Sequence, residues 1–107
     1  MVISQYEIVL VNLDPTIGSE IRKTRPCVII SPDEMNRHLN TVVIAPMTSK
    51  SHDYPTRVSV THNKTDGFVV IDQIRTIDKR RIIKQFDKLS VDEIKSVKAV
   101  IQETFVE

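Results

Sequence analysis

The sequence predicts a mainly β fold, an α+β domain whose strands come first and whose single long helix comes last. Three observations predict it. Short runs rich in Val, Ile and Thr recur along the first 88 residues. Turn and breaker residues separate them, as at Asp14-Pro15, Ser31-Pro32 and His62–Gly67. The apolar period then switches to three and four residues at Ile94, Val97, Ile101 and Phe105. The expected architecture is a strongly bent antiparallel sheet of five to seven strands, or a small barrel, with a C-terminal amphipathic helix. Periodicity does not choose between barrel and open sheet.

Glu7–Leu13 (EIVLVNL) is apolar and β-branched, and reads as a strand buried on both faces or nearly so. Thr16–Thr24 has no apolar period. The polar stretch Asp14–Arg25 is therefore a long loop in a short chain, and loops of that length are more often functional than decorative. Pro26–Ser31 is the second strand, its leading Pro suited to a strand start. Ser31-Pro32-Asp33-Glu34 reads as a capping box opening a helical turn, with Ser31 as N-cap. Thr41–Pro46 and Thr56–Thr61 are further strands, separated by the polar loop Met47–Tyr54. Gly67–Asp72 is a strand continuing into Gln73–Asp78, and Arg81–Phe86 is the last. Ser90-Val91-Asp92-Glu93 is a second capping box, with Leu89 and Ile94 as its hydrophobic staple, starting a helix over Val91–Thr104.

The 107 residues make one domain, spanning 1–107. With 40% hydrophobic and 27% charged residues the composition is that of an ordinary globular protein. Met1–Leu13 lacks the basic and long apolar segments of a signal peptide, and no apolar run is long enough to span a bilayer, so the expected location is the cytoplasm with no membrane partner. Cys27, the single cysteine, sits in an apolar run and reads as a buried small hydrophobe rather than a nucleophile. A net charge of +1 excludes a uniformly basic nucleic-acid binder. The charge is uneven, with Arg75, Lys79, Arg80, Arg81 and Lys84 in one run and Arg22, Lys23 and Arg25 in another. Such runs are usually solvated; the alternative is a local phosphate-binding face.

No metal or other cofactor is expected. His38, His52 and His62 lack ligand-pair spacing, and neither a nucleophile elbow nor a phosphate-binding glycine loop occurs. What remains is a set of Arg, Thr, Ser, Gln and Asp side chains at strand ends. Arg25 ends the polar loop where a strand begins. Thr48 and Ser49 follow the third strand, and Asp72, Gln73 and Arg75 follow the strand from Gly67. Guanidinium forks match phosphate oxygens, and a hydroxyl can donate to a further one. Those groups suit a phosphodiester whose nucleophile is RNA's own 2′-hydroxyl.

At these residues the sequence resembles the MazF/PemK/Kid family of toxin endoribonucleases. The resemblance is carried in order by Val11–Pro15, Gly18–Glu20, Thr24–Pro26, Ile30–Pro32, Ala45–Ser49, Tyr54–Thr56 and Asp72–Asp78. It implies an SH3-like small barrel or bent sheet, acting as a homodimeric mRNA interferase in a toxin–antitoxin pair. It further implies metal-independent, sequence-specific cleavage of single-stranded RNA, of mRNA and of rRNA or tRNA as further candidates, to 2′,3′-cyclic phosphate and 5′-hydroxyl ends, with growth inhibition as the result. The implied partners are a cognate antitoxin and, through that complex, operator DNA. Carried over residue by residue, Arg25, Thr48 and Glu20 are the catalytic candidates. Ser19, Asp72, Gln73 and Arg75 are the substrate-binding ones. Two departures matter: Ser19 stands where the Kid/PemK branch has a histidine, and Val70 where it has an arginine, so acid–base schemes using either are closed to this chain. The competing expectation is a non-catalytic nucleic-acid-binding or repressor-subunit module on the same fold. The 14–25 loop is expected to be mobile.

Overall fold

A computed structural model describes residues 2–49 and 54–107. Residues 50–53, and with them His52 and the middle of the predicted 47–54 loop, lie outside the described residues. The elements are β1 (Glu7–Asn12), β2 (Thr24–Ile29), α1 (Asp33–His38), β3 (Thr41–Thr48), β4 (Arg57–His62), β5 (Thr65–Val70), β6 (Arg75–Asp78), β7 (Ile82–Lys88) and α2 (Val91–Phe105). Single 3-10 turns cover Ile71–Gln73 and Lys79–Arg81.

All seven strands join one antiparallel sheet in the order β4-β5-β3-β2-β1-β7, with β6 paired to β3. The sheet is curled and open: β4 and β7 end the strand path, and β6 lies off it with β3 as its one partner. That decides the barrel-or-sheet question in favour of a half-barrel. Expected and observed strands agree to within a few residues. The strand predicted to run unbroken from Gly67 to Asp78 is split by the 3-10 turn, so that its first half pairs with β4 and with the end of β3, and its second with the start of β3.

The register explains the continuous apolar runs. Val9, Cys27 and Pro46 share one sheet face, and Ile8, Val28 and Ala45 share the other. Two apolar clusters result. One gathers Val9, Val11, Leu13, Cys27, Ile29, Ile44 and Ile77. The other gathers Ile8, Val28, Met47, Val58, Val69, Leu89 and Val97. Strands β1 to β3 are thus buried on both faces, and alternation would have been lost on them.

α2 covers the second cluster. Its capping box forms as expected: Ser90 Oγ accepts from the Glu93 N–H at 3.2 Å and Glu93 Oε1 accepts from the Ser90 N–H at 2.9 Å. Both staple residues, Leu89 and Ile94, join the cluster, and Val97 is fully buried there, a contribution of about 1.5–3 kcal/mol. Phe105, counted in the apolar stripe, is instead exposed and belongs to neither cluster, so the buried stripe ends at Ile101. The first capping box does not form. Pro32, not Ser31, holds the N-cap position of α1. The buried Ser31 hydroxyl instead donates to Asn36 Oδ1 at 2.5 Å and accepts from the Val43 N–H at 3.0 Å, tying α1 to β3. Satisfying buried polar groups outweighs an exposed helix end.

Candidate active site

The β2–β3 pairing runs from Ile29 opposite Ile44 to Cys27 opposite Pro46. Just beyond it Arg25 lies opposite Val11 of β1, and Thr48 opposite Phe68 of β5. Arg25 and Thr48, 23 positions apart in the sequence, are brought to one cavity at this end of the two strands. Further along β3, Arg75 lies opposite Ile44. Both Arg25 and Thr48 are half-buried and line a cavity of about 330 Å³ with Met47, Ser49 and Gly67. Arg25 Nε donates to the Arg22 carbonyl at 3.4 Å, a long bond that leaves most of the guanidinium's donors for other partners.

The other predicted residues gather elsewhere. Glu20, Asp72, Gln73 and Arg75 line a second cavity of about 230 Å³ with Ile21 and Pro46. Ser19 is exposed and lines neither cavity. Several of these side chains already hold the protein together. Gln73 Oε1 accepts from the Ile21 N–H at 2.7 Å, and Arg75 Nη1 donates to the Leu13 carbonyl at 3.2 Å. Glu20 Oε1 accepts from the Ile17 N–H at 2.6 Å. Asp72 accepts from Thr56 Oγ1 at 2.8 Å and from Arg57 Nε at 3.0 Å. Burial pushes the Asp72 carboxyl up, but the hydrogen bonds from Thr56 and Arg57 outweigh it and hold the group below the ordinary carboxylate value.

The 14–25 loop is well tied. The Leu13 N–H donates to the Lys23 carbonyl at 3.0 Å, and the Lys23 N–H to Asp14 Oδ1 at 3.0 Å. Arg81 Nη1 donates to the carbonyls of Asn12 and Asp14, and Gln73 holds Ile21 from the far side.

Four of the five cations in the run from Arg75 to Lys84, all but Lys84, are engaged by hydrogen bonds within the protein. Arg80 pairs with Asp78 at 3.1 Å, Lys79 donates to the Asn36 carbonyl, and Arg75 and Arg81 serve backbone carbonyls. It is structural reinforcement more than a free phosphate face. Cys27 is fully buried, and burial pushes its thiol up to about 12 against the opposing charge of Arg75, which rules out a thiolate nucleophile. Val70 is fully buried, so no polar group replaces the arginine of the Kid/PemK branch there. Among the described residues no three His, Cys, Asp or Glu side chains converge as a metal site would need, and no helix is long and apolar enough to cross a membrane.

Sequence reasoning gives Gly67, at the junction of the turn and the strand it opens, no part in the site. It lies in β5 against Thr48, where a Cβ would stand 3.1 Å from the Thr48 carbonyl oxygen. It also missed His62 and Phe86, which line the Arg25 cavity from two other strands. A glycine within a β-branched run signals such a close approach; nothing local signals the two rings.

A family model described as PemK-like, MazF-like toxin of type II toxin–antitoxin systems matches residues 4–105. A relative named endoribonuclease MazF, from Staphylococcus saprophyticus, is 34% identical, the match covering 89% of this chain and 84% of that protein. The crystal structure of MazF from Deinococcus radiodurans superposes with a TM-score of 0.86 at 26% identity over 96% of each chain. A mycobacterial endoribonuclease in complex with its cognate antitoxin superposes with a TM-score of 0.80, over 94% of this chain and 92% of that one. At 19% identity that match speaks to the fold.

Proposed function

Because the chain belongs to the PemK-like, MazF-like toxins of type II toxin–antitoxin systems, we propose that it is a sequence-specific, metal-independent endoribonuclease acting on single-stranded RNA. The observation that carries this is that Arg25 and Thr48 line one cavity. In the proposed reaction the 2′-oxygen attacks the adjacent phosphorus and the bond to the 5′-oxygen breaks. The 2′-hydroxyl gives up its proton and the departing oxygen gains one. The products are a 2′,3′-cyclic phosphate and a 5′-hydroxyl. Arg25 stabilises charge developing on the non-bridging oxygens, and the Thr48 hydroxyl donates to one of them. A guanidinium is built to donate rather than to accept, which favours this role for Arg25 over proton abstraction. Gln73 and Arg75 act as substrate contacts from the neighbouring cavity, where Glu20, the third catalytic candidate, also stands, and Ser19 meets the RNA strand from the exposed loop. Asp72, held by Thr56 and Arg57, meets the substrate from the same cavity as Gln73 and Arg75.

We further propose a cytoplasmic, growth-inhibiting homodimer silenced by a cognate antitoxin, the complex then binding operator DNA; the antitoxin part is supported by the similar mycobacterial endoribonuclease in complex with its cognate antitoxin. The test is incubation of a long single-stranded RNA with protein in excess chelator. Wild type cuts it and leaves cyclic phosphate ends; Arg25→Ala cuts at least a hundredfold more slowly, on the order of the loss of one transition-state donor. A DNA strand of the same sequence, lacking the 2′-hydroxyl, stays whole. Equal RNA loss with both proteins, or a requirement for Mg²⁺, rejects the mechanism. RNA binding without cleavage would leave the non-catalytic module instead.

A further inference from the structure

We propose that His62 and Phe86 form the seat for a nucleobase flanking the phosphate held by Arg25 and Thr48. The inference rests on the endoribonuclease reading above and adds a binding residue from each edge of the sheet. His62 ends β4 and Phe86 lies on β7, the two strands that the open sheet leaves unpaired with each other. Their rings close the gap between those edges, with centroids 4.9 Å apart and planes at 64°.

The pair stands where two cavities meet. On one side is the cavity of about 330 Å³ that holds Arg25 and Thr48. On the other is a cavity of about 590 Å³ reaching Gln85 and Lys88. His62, Asn63 and Phe86 line both. Both volumes fall in the range of roughly 300–1,000 Å³ that accepts small ligands. The chain has five Phe and Tyr residues, and Phe86 alone among them lines the Arg25 cavity. Both rings are half-buried: Phe86 packs one part on the second apolar cluster and keeps the rest accessible. The Lys84 ammonium lies 5.3 Å from the Phe86 centroid, which brings positive charge to the same place.

These are the parts single-stranded RNA asks for. Unstacked bases lose their neighbours' faces and take aromatic side chains in exchange, while cations follow the phosphates. A phosphate at Arg25 and Thr48 places the attached nucleoside in the same cavity, whose wall carries both rings. The imidazole adds hydrogen-bonding capacity toward a base edge, so the seat contributes to base choice as well as to affinity.

The test begins by mapping wild-type cuts in a long RNA in chelator. Short RNAs carrying the mapped site are then made intact or with an abasic ribonucleotide at each flanking position. Phe86→Leu retains apolar volume on the core and removes the ring; His62→Ala removes the other ring. With intact RNA each variant should show KM raised about tenfold with kcat little changed, in line with one lost base–aromatic stack. Wild type should lose a similar factor on one abasic RNA, and the variants should lose little more on it, because the missing base and the missing ring report one contact. A wild-type KM in both variants, or abasic losses as large in the variants as in wild type, overturns the seat. If Phe86→Leu fails to melt cooperatively, His62→Ala with the abasic series decides alone. If wild type cuts no RNA, the endoribonuclease reading falls by itself. Fluorescence anisotropy of a short labelled RNA of mixed sequence then decides the seat: about tenfold weaker binding by the variants upholds it, and equal binding overturns it.

Discussion

Gly67 brings β5 so near to β3 that a Cβ on it would stand 3.1 Å from the Thr48 carbonyl oxygen and 3.8 Å from the carbonyl carbon. The neighbour is backbone, so it yields only if the two strands part. Gly67→Ala should therefore cost about 1 kcal/mol of stability, as modest overpacking does. It should also slow RNA cleavage by tenfold or more, since displacement of a reacting group by a fraction of an ångström is expensive. Urea melts and initial rates check the two effects separately. Unchanged rates would mean that the Thr48 position is not critical to the chemistry.

The hairpin between β4 and β5 turns on Asn63 and Lys64, with φ of 51° and 61°. Both central residues are left-handed, the requirement of a type I′ turn, and Asn accepts this while Lys does not. Lys64→Gly should stabilise the protein by about 0.5 kcal/mol or more, raising Tm by roughly 3 °C. Calorimetry that shows a lower Tm would assign the Lys64 side chain a contact worth more than the strain.

The Asp72 carboxyl is held below its ordinary value, burial being outweighed by the Thr56 and Arg57 hydrogen bonds. A depressed folded-state value means that the ionised form favours folding above the unfolded value near pH 4, and that this contribution is lost as pH falls through the folded value. The side chain is 37% exposed, so solvent screens the pair with Arg57. Asp72→Asn should cost less than about 1 kcal/mol at pH 7, and the gap from wild type should be flat from pH 6 to 8 and shrink below about pH 4. A gap that widens on acidification would contradict the assignment.

Cys27 should be silent. With its thiol buried and pushed up to about 12, it should resist iodoacetamide at pH 8 in the folded protein and react only in denaturant. Cys27→Ala should cost about 1 kcal/mol and leave cleavage intact. Loss of activity at unchanged stability would reopen a role for sulfur.

Most of the strand order was readable because β-branched runs and breakers are local signals. The β2–β3 partnership behind the site was not, because register is a long-range property. The unbroken strand expected from Gly67 to Asp78 fails for a related reason. Val69 and Ile77 are both buried, so burial pattern alone does not reveal that the strand breaks at Ile71–Gln73 and resumes at the other end of β3. Ser31 misled because its hydroxyl had a better offer from Asn36 and Val43, residues that a local capping pattern does not see. Among the candidate residues, Arg25 and Thr48 were marked by position at strand ends and by resemblance. The structural duties of Gln73 and Arg75 became visible only when Ile21 and Leu13 came beside them. His62 and Phe86 meet across the chain's two outermost strands, a distance of 24 positions with no shared motif.

The open seam between β4 and β7 has an evolutionary consequence. Arg25 and Thr48 stand on inner strands, each hydrogen-bonded on both sides, where a change of length would shift every partner. The facing wall of their cavity comes from outer strands with one neighbour apiece. Descendants of this chain are therefore free to lengthen, shorten or redecorate the outer wall while the inner pair is inherited unchanged. One reaction can thus be retained while its targets diversify.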